Sequence, residues 1–125
     1  MATSGADRLR HIRERIALIT EMFSGATYEE AWRDETRWAA FERHLEVISE
    51  ASRNIPPEWR TDTRVEWRKV AGLGNLLRHV YQHTSGPVLW DIYENDLVPL
   101  DEAVAAMLLR YGSDDSPTPS PPRSS

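Results

Sequence analysis

The chain has 125 residues and a mass of 14.4 kDa, which makes one domain with room for a single core. Hydrophobic content of 40% and charged content of 28% exclude a disordered chain, and no apolar run approaches the roughly 18 residues of a membrane span. The absence of cysteine excludes disulfide scaffolds, thiolate metal sites and thiol nucleophiles, and the net charge of −5 excludes coating of nucleic acid by bulk electrostatics. A local basic site remains open. The N-terminus, MATSGADRLRHIRER, carries charges where an export signal needs an apolar stretch, so the expected location is cytoplasmic.

In chain order the pattern is helical. Leu9, Ile12, Ile16, Ile19 and Phe23 form one stripe of a first helix from about Asp7 to Ser24, stopped at Gly25. Thr27 caps a short turn through Trp32. Asp34 is the N-cap of a second long helix with the stripe Trp38, Phe41, Leu45, Ile48 and Ser52, flanked by Ala40 and Val47. Pro56 and Pro57 end it. A third helix is expected over 65–81, with Val70, Leu73, Leu77 and Val80 inward. A fourth is expected over 86–95 with Val88, Leu89, Ile92 and Trp90. Pro99 opens a fifth with Leu100, Val104, Met107 and Leu108 inward. No stretch alternates long enough for a strand. The expected fold is all-α, an up-and-down bundle of about five helices spanning 1–111. The tail over 112–125, GSDDSPTPSPPRSS, has no apolar residue and reads as disordered.

Charge is unevenly spread. Between Arg53 and His83 six Lys and Arg side chains face three carboxylates, whereas seven carboxylates face two arginines from Asp91 onward.

The third helix has a second face. At about 100° per residue, Arg68, Asn75, His79 and Gln82 fall within about 60° of one another, with Arg78 at the edge. Most polar stripes are only solvated faces. This one holds an amide, an imidazole and a guanidinium, which can bind a phosphodiester, move a proton and neutralise a phosphorane. His79 and His83 also have the i, i+4 spacing of two metal ligands, but a third ligand would have to come from His44 or Glu50, and no Glu-x-x-His occurs. No metal and no cofactor is expected. Glu50 reads either as an exposed helix carboxylate or as a supporting group that orients Arg78 or His79. Trp38, Trp67 and Trp90 fit packing positions. Gly72-Leu73-Gly74 lies inside a helix pattern and matches no nucleotide-binding loop.

FERHLEVISEA from Phe41 to Ala51, a Pro-containing loop, WRKVAGLGNLLRHVY from Trp67 to Tyr81 and LWDIYENDLVPL from Leu89 to Leu100 occur in that order. This arrangement resembles HepT-like proteins of the HEPN superfamily over almost the whole chain except the tail. The resemblance implies a helical homodimer acting as the toxin of a type VII-like toxin–antitoxin pair. It implies a metal-independent endoribonuclease with RNA as substrate. It further implies a minimal nucleotidyltransferase antitoxin that adenylylates a tyrosine beside the active site. The family signature is Arg-x4–6-His, often extended to His-x-Tyr. His79, Val80 and Tyr81 match the extension, and Asn75 matches the polar residue that often follows the arginine. Tyr81 is then the expected adenylylation target, although an ideal helix puts it about 160° from His79.

The signature arginine has no match, because its permitted positions hold Gly72, Leu73 and Gly74. Arg78 lies one turn after Gly74, and helical side chains lean toward the N-terminus. A transposed motif follows, with Arg78, His79 and Asn75 as the catalytic set. The alternative is a catalytically inactive HEPN module that binds a nucleotidyltransferase partner.

Overall fold

The computed structural model describes residues 4–79 and 82–112, without the side chains of 79 and 82–85. The expected tail beyond Gly112, and Val80 and Tyr81, lie outside the described residues. Among the described residues the fold is all-α, with seven helices, one 3-10 turn at Pro57–Trp59 and no strand. No described helix is long and apolar enough to cross a membrane.

Helix α1, Gly5–Phe23, starts at Ser4, whose Oγ accepts from Asp7 N at 3.0 Å. All five residues of its stripe are buried. It stops where Gly25 takes a φ of +78°, a conformation open to glycine at little cost. Helix α2, Tyr28–Arg33, begins with a full capping box between Thr27 and Glu30. Asp34 closes α2 through its N–H to Ala31 O and opens α3, Glu35–Arg53, through its carboxylate. The α3 stripe, Ser52 included, is buried as its spacing requires.

Helix α1 packs on α3 and α7, and α4 and α5 lie on α3. Phe23, Trp38, Phe41, Trp90 and Tyr93 join α1, α3 and α6 through ring contacts. Phe23 and Phe41 meet edge to face at 5.1 Å. Trp38 and Trp90 are therefore core, and Trp67 is partly buried against it.

Three expectations need correction. The third helix is not continuous: α4, Trp67–Ala71, and α5, Leu73–His79, meet at a break at Gly72. Arg68 therefore does not share an unbroken helix face with Asn75. The fourth helix, α6, runs Gln82–Asn95, so Pro87 lies inside it rather than near its start, and Val88 is 45% exposed instead of inward. The chain starts its last helix, α7, at Leu97 and runs to Tyr111. Pro99 stands in its first turn, where a missing donor costs nothing. The count rises from five to seven because α2 is a full helix and the third element is split.

Gly86 explains how α6 approaches α2. A Cβ there would run into the Tyr28 hydroxyl and stand 3.0 Å from the Trp32 ring. Gly86→Ala is expected to destabilise the fold by about 1–3 kcal/mol through overpacking, outweighing alanine's better helix propensity of about 1 kcal/mol. A thermal melt checks this, since a Tm at or above wild type would mean that both rings move aside freely.

Candidate active site

The break between α4 and α5 is the feature that shapes the site. Breaking a helix frees a carbonyl and an N–H that must find other partners. Here Ala71 O and Gly74 N are met from α3. Ser49 is fully buried, and its Oγ donates to Ala71 O at 2.8 Å while accepting from Gly74 N at 3.0 Å. Arg53, one turn further along α3, donates from Nη1 to Ser49 Oγ at 2.8 Å and to Ala71 O at 3.0 Å. Two side chains of one helix thus satisfy both groups that the break frees.

Gly74 is buried beneath two guanidinium groups. A Cβ built on it would lie 3.4 Å from Arg53 Nη1, 3.5 Å from Arg78 Nη1 and 3.5 Å from Ser49 Oγ. Arg78 reaches back one turn over Gly74, in the direction that helical side chains lean. Asn75 is exposed on α5, and the backbone places His79 one turn after it at the helix end. The His79 side chain lies outside the described residues, as do those of Gln82 and His83.

The structure bears on the expected supporting role of Glu50 only on its Arg78 side, since the His79 side chain lies outside the described residues. Glu50 stands exposed on α3, and among the described residues no hydrogen bond or ion pair links its carboxylate to Arg78. Its backbone carbonyl accepts from Asn54 Nδ2 at 2.8 Å. His44, weighed above as a zinc ligand, faces α1 instead, with its Nδ1 3.1 Å from Arg15 Nη1. Burial first, and the Arg15 charge second, hold its pKa below the usual histidine value.

The sequence reading missed Arg53 and Ser49. Arg53 is the last residue of α3 and reads as an ordinary basic helix end. Ser49, next to the apolar stripe, was the available signal: a polar residue at an inward position needs hydrogen-bond partners, and those on offer include another element.

An all-α bundle with a basic, glycine-floored patch at the end of a short helix fits the HEPN class. The family model described as "Ribonuclease HepT-like" matches residues 12–107. The chain belongs to the HepT-like ribonuclease family. It is similar to a protein named "Probable ribonuclease HepT" from Thermococcus cleftensis, with 35% identity over 101 residues covering 80% of this chain and 92% of that one. It is also similar to a protein named "Putative RNase" from Caldanaerobacter subterraneus subsp. tengcongensis, at 30% identity over 101 residues, covering 80% and 90%. A third relative, from Methanocaldococcus jannaschii, is named "Gamma-glutamylcyclotransferase and putative RNase". It is 27% identical over 101 residues, covering 80% of this chain and 46% of its own length. No solved structure matches the chain significantly.

Proposed function

We propose that the protein is a metal-independent endoribonuclease, the toxin of a type VII-like toxin–antitoxin pair, working as a homodimer in the cytoplasm. The observation that carries this reading is the Arg78 guanidinium held over Gly74, one residue before His79. The glycine leaves open the place where the family carries its arginine, and a cation from the next turn fills it. Family membership supplies the reaction class.

In this reading His79 takes the proton from a ribose 2′-hydroxyl. The 2′-oxygen attacks the adjacent phosphorus, a P–O2′ bond forms and the P–O5′ bond breaks. The leaving 5′-oxygen takes a proton from water. The products are a 2′,3′-cyclic phosphate and a 5′-hydroxyl. Arg78, with Asn75, stabilises the charge that gathers on the phosphorane oxygens. Imidazole and guanidinium suffice for this chemistry without a metal. Incubation of wild-type protein with RNA should yield fragments ending in 2′,3′-cyclic phosphate, and His79→Ala should yield none. Equal cleavage by His79→Ala would refute the assignment.

The antitoxin partner in this reading is a minimal nucleotidyltransferase that uses ATP. The Tyr81 phenolic oxygen attacks the α-phosphorus, an O–P bond forms, pyrophosphate leaves and the phenolic proton goes to solvent. The added phosphodiester carries negative charge near Arg78 and competes with RNA for it. With partner and ATP present, the intact mass should rise by adenylate units in wild type and stay fixed in Tyr81→Phe. A rise that persists in Tyr81→Phe would identify another acceptor.

One observation favours a second reading. Gly74 stands where the family has its arginine, so the chain could be a silent HEPN module that docks the nucleotidyltransferase without cutting RNA. Persistent absence of cleavage by wild type would select it.

A further inference from the structure

Arg53 lies outside the family signature and outside the catalytic set assigned above. It stands at the end of α3, 21 positions before Gly74 in sequence, yet its Nη1 and that of Arg78 both come within 3.5 Å of the point where a Cβ on Gly74 would be. Two like charges from different helices converge on one glycine. Among the described residues neither is within ion-pair distance of a carboxylate, whereas Arg13, Arg37, Arg43, Arg64 and Lys69 each are. Two guanidiniums side by side without a counter-charge repel each other, and an anion between them would relieve that repulsion.

The hydrogen bonds around Arg53 show which part of it is committed. Its Nη1 donates to Ser49 Oγ and Ala71 O. A guanidinium carries five N–H donors, and Nη1 holds two of them. The Nε and Nη2 donors make no bond to any described residue. They form one edge of the planar group, the edge suited to two-pronged contact with phosphate oxygens. The two Nη1 bonds fix the plane, so little side-chain freedom would be lost when an anion arrives. If Arg53 served only to cap the end of α4, a single point donor would do, and a lysine could supply it.

We propose that Arg53 is a second phosphate ligand of this site, forming with Arg78 a two-guanidinium clamp over Gly74 for one phosphate of single-stranded RNA. Ser49 is its positioning residue, because it receives Nη1 and ties α3 to the first turn of α5. Gly74 is the floor that lets the two arms approach. The inference rests on the ribonuclease reading for the identity of the anion, and the clamp geometry stands independently of whether cleavage follows binding.

The test uses a fluorescent single-stranded 2′-O-methyl oligonucleotide, which offers phosphates but no free 2′-hydroxyl to attack. Binding is measured by anisotropy across a salt series, alongside thermal melts. Arg53→Gln and Arg53→Lys should each weaken binding by about tenfold or more, the size of one lost charge-assisted contact. For Arg53→Gln the slope of log affinity against log salt should become shallower by about 0.7, one phosphate contact on a single strand. Arg53→Lys should melt like wild type, because it can still cap Ala71 O, and so gives a readout even if the glutamine variant folds poorly. Arg53→Gln combined with Arg78→Gln should lose little more than the weaker single variant, since both arms hold one phosphate. Wild-type affinity in Arg53→Lys would overturn the clamp and leave Arg53 as a helix cap, as would a wild type that does not bind the probe. Arg53-dependent binding by a wild type that never cuts RNA would keep the clamp and refute the nuclease. Cleaving wild type with unaltered binding and cleavage in Arg53→Lys would keep the nuclease and refute the clamp.

Discussion

Arg78→Ala should remove RNA cleavage as completely as His79→Ala while leaving the bundle folded. Arg78 is exposed, and its guanidinium makes no hydrogen bond or ion pair with a described residue, so truncation leaves no buried group unpaired. Its value would lie in the transition state. A positioned donor to developing oxyanion charge contributes about 3–4 kcal/mol, or roughly 10²–10³-fold in rate. An acid–base group such as His79 contributes roughly 10²–10⁴-fold. The two losses should therefore be similar and should not multiply, because each group needs the other. Arg78→Lys should recover little, since a point charge cannot make the two-pronged contact. Rates of fragment formation from a single-site RNA, with melts as control, check this. Cleavage by Arg78→Ala at near wild-type rate would end the transposed motif.

Gly74→Arg should lower activity by about tenfold or more, the opposite of what restoring the family signature would suggest. The position is not empty. A Cβ there would already touch Arg53 Nη1, Arg78 Nη1 and Ser49 Oγ at 3.4–3.5 Å, which is ordinary van der Waals contact. Gly74→Ala is thus tolerated by the geometry, whereas the remaining atoms of an arginine must push two guanidiniums aside and add a third positive charge among them. A gain of cleavage in Gly74→Arg, from a wild type that shows none, would mean that the site is a degenerate signature and would favour the silent module. The alanine variant separates space from charge: it should cut RNA nearly as wild type does.

Much of this architecture was legible in the residues. The stripes Leu9 to Phe23 and Trp38 to Ser52 are buried where their spacing puts them. Thr27 and Asp34 cap the helices that their types and positions imply. Such features are local: a 3.6-residue period and a cap three residues ahead of an N–H are encoded within one turn of chain. The family was legible too, because its three segments keep their order, and with it the all-α class and the interest of His79, Arg78 and Asn75.

What the sequence could not disclose were the features whose partners lie far along the chain. Nothing within Trp67 to Tyr81 announces a break at Gly72, since glycines also sit inside unbroken helices at a cost of about 1 kcal/mol each. The break is stable because Ser49 and Arg53, more than 15 residues earlier, satisfy the carbonyl of Ala71. Gly86 looks like a helix start beside Pro87, and only the closeness of Tyr28 and Trp32 shows that it is a contact point inside α6. Glu50 and Arg53 are both polar residues on the last turns of α3, and nothing in their periodicity marked the guanidinium as the one that reaches across to α4. The sequence by itself determined the helices, their buried faces and the family. The tertiary structure decided that Arg53 reaches Gly74, because the direction of an exposed side chain is set by the acceptors around it, and the Ala71 carbonyl is free to accept only where α4 ends against α3.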